Sequence, residues 1–206
     1  VERTLDDGLV LGARANLLLA HDVLSDDRYG DDIFQKVYVY MQAGYGTVQI
    51  GQQHGVGAQL GMTGPRLAAR VSLDDPDTTF FVNPATDQRF DRLFRPYAAQ
   101  AASSNDAKIN YTTPRLFGLQ IGGSYTPSQT KEALPFISNP PDGPNSQKSI
   151  LEGAVSYSTY LSDVALGFSA SVAQGHLQHP TAGHDDLLDW AIGAQAAYTI
   201  SDTRIS

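Results

Sequence analysis

Along most of the chain, apolar and polar residues take turns. Between Leu9 and Ala20 one set holds Leu9, Leu11, Ala13, Ala15, Leu17 and Leu19, and the other holds Gly12, Arg14 and Asn16. Val10 and Leu18, near the ends, are the exceptions. In Lys36–Gln42, Val37, Val39 and Met41 oppose Lys36, Tyr38, Tyr40 and Gln42. After Gly44-Tyr45-Gly46 the chain returns with Val48 and Ile50 against Thr47, Gln49 and Gly51. The scheme recurs with Ile109 and Tyr111 against Lys108 and Asn110, and with Leu119, Ile121 and Tyr125 against Gly118, Gln120, Gly122 and Ser124. Three later stretches repeat it. Leu151, Val155 and Tyr157 oppose Glu152, Ala154, Ser156 and Ser158; Val164, Leu166, Phe168, Ala170 and Val172 oppose Gly167, Ser169 and Ser171; Trp190, Ile192, Ala194, Ala196 and Tyr198 oppose Asp189, Gly193, Gln195 and Thr199. A period of two is the mark of a strand with one apolar and one polar face. The pattern therefore predicts about eight strands.

The connections sort by length. Short turns fall at Asp6-Asp7-Gly8, Gly44-Tyr45-Gly46, Thr113-Pro114-Arg115, Tyr160–Asp163 and Ser201-Asp202; long connections run over His21–Gln35, His54–Asp106, Pro127–Ser149 and His176–Asp186. Short and long alternate throughout. A transmembrane barrel has tight turns at one rim and long loops at the other, with lipid outside and water within. A soluble β-sandwich has no reason to sort its loops in this way. The fold class expected is all-β, an antiparallel transmembrane β-barrel forming a single domain over residues 1–206.

Composition narrows the function. The 206 residues are 41% hydrophobic, and no stretch approaches the ~18 apolar residues of a membrane helix. A net charge of −8 argues against a nucleic-acid partner. No cysteine is present, so disulfides and thiolate metal sites are excluded. Nineteen glycines and ten tyrosines suit twisted strands with aromatics at the membrane interfaces. Strands cut at Val1–Thr4 and Thr203–Ser206 predict that this chain is part of a larger barrel. The small inward residues point the same way, because a narrow barrel would need bulky ones to fill it. They suit a wide, watery pore.

Leu5-Asp6-Asp7-Gly8-Leu9-Val10-Leu11-Gly12, Gly44-Tyr45-Gly46-Thr47-Val48-Gln49-Ile50-Gly51 and Ile109-Asn110-Tyr111-Thr112-Thr113-Pro114 with Phe117-Gly118-Leu119 occur in an order that resembles the general porins of the bacterial outer membrane. The resemblance spans nearly the whole chain. It implies a sixteen-stranded barrel, entered here near the end of its second strand and left at the start of its eleventh. It further implies a homotrimer in the outer membrane of a Gram-negative bacterium, in contact with lipid and lipopolysaccharide, through which ions and small hydrophilic solutes diffuse passively. Catalysis, a cofactor and a resident metal are not expected.

The same resemblance makes His54–Asp106 the constriction loop that folds into the lumen. Its Phe90, Leu93, Phe94 and Tyr97 fall at helical spacing, which Pro96 restricts to a couple of turns. Asp74, Asp75, Asp77, Asp87 and Asp91 are the candidate constriction acids, set among Arg66, Arg70, Arg89, Arg92 and Arg95. Arg14 and Lys36, on the polar faces of their strands, are the candidate wall bases. Acids on a loop facing bases on a wall would put a field across the pore, and the Asp74-Asp75-x-Asp77 cluster would bias it toward cations. The alternatives are a substrate-selective channel for phosphate or sugars, a non-conducting structural or adhesin-like barrel, and a soluble β-sandwich binding module. Tyr38 and Tyr40 are the only hint of a sugar-binding aromatic ladder.

Three motifs are set aside. His176, His179 and His184 with Asp185 and Asp186 have zinc-like spacing, but ordinary solvated histidines explain them better. Gly55-x-Gly57 lacks both the third glycine in register and a surrounding βαβ unit. Asp22, Asp26, Asp27, Asp31 and Asp32 offer a loose Ca²⁺ site, or divalent ions shared with lipopolysaccharide, without the spacing of a calcium hand; general surface charge is the preferred reading.

Overall fold

A computed structural model describes residues 2–5, 8–17, 34–62, 82–83, 88–89, 102–103, 105–129, 146–179, 185–200 and 203–205. In chain order the elements are β1 (Glu2–Thr4), β2 (Val10–Leu17), β3 (Phe34–Ala43), β4 (Gly46–Gln52), α1 (Val56–Leu60), β5 (Val82–Asn83), β6 (Gln88–Arg89), β7 (Ala107–Thr112), β8 (Leu119–Ser128), β9 (Gln147–Leu161), β10 (Val164–Leu177), β11 (Leu187–Ile200) and β12 (Thr203–Ile205). Ten strands make one antiparallel sheet, each beside its neighbour in sequence, while β5 and β6 pair separately. The sheet is open, with β1 and β12 at its two edges. All eight predicted strands are present, flanked by the short strands β1 and β12.

Strands β9, β10 and β11 run to 15, 14 and 14 residues. A tilted membrane strand needs roughly 9–11, so each can cross a bilayer and project beyond it. In this register like faces meet like. Phe168 stands between Tyr157 and Ala194, and Ser169 between Ser156 and Gly193. One irregularity interrupts the pattern: the β9–β10 pairing shifts between Gln174 and His176, opposite Ser149 at φ 52°. This extra residue is why Gln147 and Glu152, an odd number of positions apart, are both buried.

The β7–β8 turn corrects the sequence reading. Its tip is Phe117-Gly118, at φ 52° and 85°, and not Thr113–Arg115. Leu116 and Leu119 exchange both backbone hydrogen bonds at 2.9 Å, closing a two-residue loop with two positive φ values. Gly118 is required there, since a Cβ would strike the carbonyl oxygen of Ser158.

Burial runs opposite to that of a soluble sheet. Val39, Ile50, Ile109, Ile121, Phe168 and Val172 are each about half exposed, and Ile192 is 77% exposed. On the other face Lys108, Asn110, Ser124, Thr126, Glu152, Ser156 and Ser169 are buried. Apolar surface on this scale is a binding surface for something apolar, and a continuous band around a curved sheet fits lipid. The buried polar face is covered by the chain itself, at the segment containing α1.

Candidate pore site

Past β4 the chain turns onto the inner face of the sheet, the face opposite the apolar band, and crosses it. Residues 54–59 dock on a single cross-strand row, Gln49–Asn110–Ser124–Glu152, contributed by β4, β7, β8 and β9. Asn110 Nδ2 donates to the His54 carbonyl at 2.8 Å, and Ser124 Oγ accepts from the Val56 amide at 2.9 Å. Glu152 Oε2 accepts from the Gly57 amide at 3.4 Å. Gln59 Nε2 reaches both Gln49 Oε1, at 3.0 Å, and the His54 carbonyl, at 2.8 Å. The alternation that turns these four side chains inward and the register that aligns them together build a polar rail.

The next row, Thr112–Gly122–Ala154, seats the apolar side of α1. Val56 is fully buried, and Leu60 and Ala154 nearly so, in one cluster. A Cβ on Gly122 would come within 3.0 Å of Val56 Cγ1 and 3.1 Å of Leu60 Cδ1. Further along, Ser169 Oγ accepts from the Met62 amide at 2.8 Å, and the Met62 side chain lies over Gly167 and Gly193. From β7 to β11 this path spans four strand spacings, roughly 19 Å. The small inward residues of β8–β11 thus have a use the sequence did not disclose: they make room for a segment on the wall.

The far end of the same excursion returns to the same face. Ala102 and Ser103 are buried. Gln129 Nε2 donates to the Ala102 carbonyl at 2.7 Å and Lys108 Nζ to the Ser103 carbonyl at 2.9 Å, while Ser103 Oγ donates to Glu152. Both ends of residues 54–106 are therefore fixed to the inner wall.

Of the other charges on the inner face of the described strands, Arg14, Lys36 and Lys108 lie on β2, β3 and β7, with Glu2 on β1 and Asp189 on β11. Arg14, Tyr38, Gly51 and Lys108 form one cross-strand row, and Lys36 pairs with Asn16 one step along. Arg14 is exposed and Lys36 half-buried, both on the inner face as expected. His54 is pushed down to about 4, chiefly by burial and then by Lys36 and Lys108, and is neutral at pH 7. Asp74, Asp75, Asp77, Asp87 and Asp91 lie outside the described residues, as do the helical spacing from Phe90 to Tyr97 and the acidic stretch Asp22–Asp32.

Of the motifs set aside, His176 ends up in β10, its Nδ1 2.9 Å from Asp186 Oδ2, and Asp186 Oδ1 accepts from the Leu177 amide. These contacts, His176 first, hold the Asp186 carboxyl below the usual carboxylate range. His184 lies outside the described residues.

A sheet with an apolar outer band, a polar inner face and a segment folded onto that inner face is the architecture of a pore wall. The family model of the Gram-negative porins matches residues 1–203. The chain belongs to that family. No curated protein matches the sequence. Membership makes the molecule an outer-membrane, multi-pass β-barrel channel rather than an enzyme, its inner face the lumen. Sequence reasoning put Arg14 and Lys36 on the polar face, where they lie, but did not group Gln49, Lys108, Asn110, Ser124 and Glu152 as a set. Alternation alone puts each inside; only the register between strands aligns them.

Proposed function

We propose that this porin is a passive diffusion channel for ions and small hydrophilic solutes, with residues 54–106 forming its constriction and with a lean toward cations. One observation supports the reading above others: residues 54–62 lie across the lumen face of the wall, and Ser103, at the other end of the excursion, is tied to the same wall. Residues 54–62 and 102–103 are anchored on the lumen wall, and in the sequence Asp74, Asp75, Asp77, Asp87 and Asp91 fall between them. Arg14 and Lys36 supply positive charge on the wall, and acids opposite them would make a transverse field. The overall charge of −8 agrees with a cation lean. Sixteen strands in a homotrimer, in contact with lipid and lipopolysaccharide, complete the reading by kinship with the general porins. A sugar-selective channel rests on less: Tyr38 and Tyr40, ring centroids 6.3 Å apart, are the one aromatic pair on the described inner face.

The test is planar-bilayer recording of the full-length porin in KCl. Steady steps closing in threes at high voltage support the trimeric channel, and absence of current refutes it. In a salt gradient the reversal potential reads the selectivity. Replacing Asp74, Asp75 and Asp77 together with Asn lowers cation preference if they line the constriction; an unchanged potential refutes their role.

A further inference from the structure

Within the polar rail one side chain differs from the rest. Glu152 projects from β9 into the lumen side of the wall, yet is only 5% exposed. A carboxylate so enclosed needs donors around it, and here they come from the two ends of the inserted excursion. Gly57, near the start, gives its amide at 3.4 Å; Ser103, near the end, gives its hydroxyl. Gly55 lies so close that a Cβ there would occupy the carboxylate's own space. Lys108, from β7, binds the Ser103 carbonyl at 2.9 Å and so secures the same residue from its other side. Residues 46 apart in sequence, 57 and 103, thus meet at one group.

We infer that Glu152 is a positioning residue: a clasp that shuts the mouth of the inserted excursion by holding its entry at Gly55–Gly57 and its exit at Ser103 on the same wall carboxylate. It deepens the constriction reading and rests on it. A long excursion fixed at its two ends independently could splay or slide. Bound to a common point, its two ends are held in a fixed relation to each other. Single-carboxylate closure also explains why the rail ends in a charged residue while Gln49, Asn110 and Ser124 are neutral. A charged acceptor holds two donors more strongly than an amide or hydroxyl does.

The experiment is single-channel recording of the full-length porin carrying Glu152→Gln, Glu152→Ala, Ser103→Ala, or Glu152→Ala with Ser103→Ala. Closing voltage and open-channel noise are the readouts, because a merely structural residue would lower folded yield without altering the channels that do insert. Glu152→Ala and Ser103→Ala are each expected to lower the closing voltage and raise the noise. The double variant should go no further than Glu152→Ala, and Glu152→Gln should fall between that and wild type. Ser103→Ala removes one hydroxyl and keeps the test open even if Glu152→Ala does not fold. Wild-type closing voltage and noise in either single variant overturn the clasp. No current from wild type would instead overturn the channel reading beneath it.

Discussion

Gly122 is the place where the wall decides where the inserted segment can lie. A Cβ there would meet Val56 Cγ1 at 3.0 Å, Leu60 Cδ1 at 3.1 Å and Thr112 Cγ2 at 3.1 Å. Carbon atoms prefer about 3.5–4.0 Å, so alanine requires a shift of roughly half an ångström to one ångström. Overpacking of this kind costs about 1–3 kcal/mol. Against it stands the hold of the seat: burying Val56 and Leu60 stabilises by roughly 1.5–3 kcal/mol each. The amide bonds to Ser124 and Ser169 add about 1 kcal/mol apiece. The seat therefore tolerates Gly122→Ala. Gly122→Leu places further carbons where Val56 and Leu60 now sit, removing their burial as well as adding strain. The segment, still tied at Glu152 and Ser169, must bow into the lumen. Open-channel conductance should fall stepwise from glycine to alanine to leucine, and the largest neutral solute admitted in a liposome-swelling assay should shrink with it. Barrel melting should change little, since the strand pairing is backbone to backbone. A folded Gly122→Leu channel with wild-type conductance and solute cut-off would refute the packing of α1 on this wall.

Three further outcomes follow from the same geometry. Ile121→Arg, on the half-exposed outer face of β8, should destabilise refolding into lipid vesicles by about 2–4 kcal/mol if that site lies near the bilayer midplane; an unchanged denaturant midpoint would mean the outer face is not in lipid. His54, held at about 4 in the fold against an ordinary 6.5, binds fewer protons folded than unfolded between those values. Wild type should therefore lose stability relative to His54→Asn as the pH falls from 6.5 toward 4, and parallel pH curves would contradict the burial of His54 beside Lys36 and Lys108. Neutralising the wall with Arg14→Gln and Lys36→Gln should move the reversal potential toward that of a more cation-selective pore; no movement would remove both from the permeation path.

The wall was legible because its signal is local. Alternation over a few residues identifies each strand and its apolar face, and the structure places those faces as the sequence did from β2 to β11. Ends were less clear: β9 and β10 continue past the strict alternation to Gln147 and Leu177, where pairing with a neighbour sustains residues that their own pattern would not. The bulge at Ser149 gives no sequence signal, and it decides which residues beyond it turn inward. Proline misled at the β7–β8 turn. Thr113-Pro114-Arg115 reads as a turn, but the Thr113 amide still bonds Ile121 across the pair, and the reversal waits for Gly118. Harder still was the seat. Gly122, Ala154, Gly167 and Gly193 lie far apart in sequence, and their smallness reads equally well as open pore or as space for a packed segment. Register alone separates the two.

What fixes the position of the inserted segment is consequently the wall and not the segment. Helix α1 has five residues, no side-chain cap and no charge placed to complement its ends. Isolated helices of that length do not persist in water, because nucleation costs more than so few hydrogen bonds return. Its shape is imposed by Ser124 and Glu152 binding its first amides and by the space above Gly122 that receives Val56 and Leu60. A lumen wall also has to hold such a segment while facing water, where an apolar seat alone would be non-directional and a hydrogen-bonded rail alone would exchange with solvent. The two adjacent rows divide that work: the rail sets the position along the strands, and the seat keeps water out from beneath. Changes in how far the segment reaches into the lumen should then be made most readily by single substitutions in β8 and β9, leaving the loop's own sequence untouched.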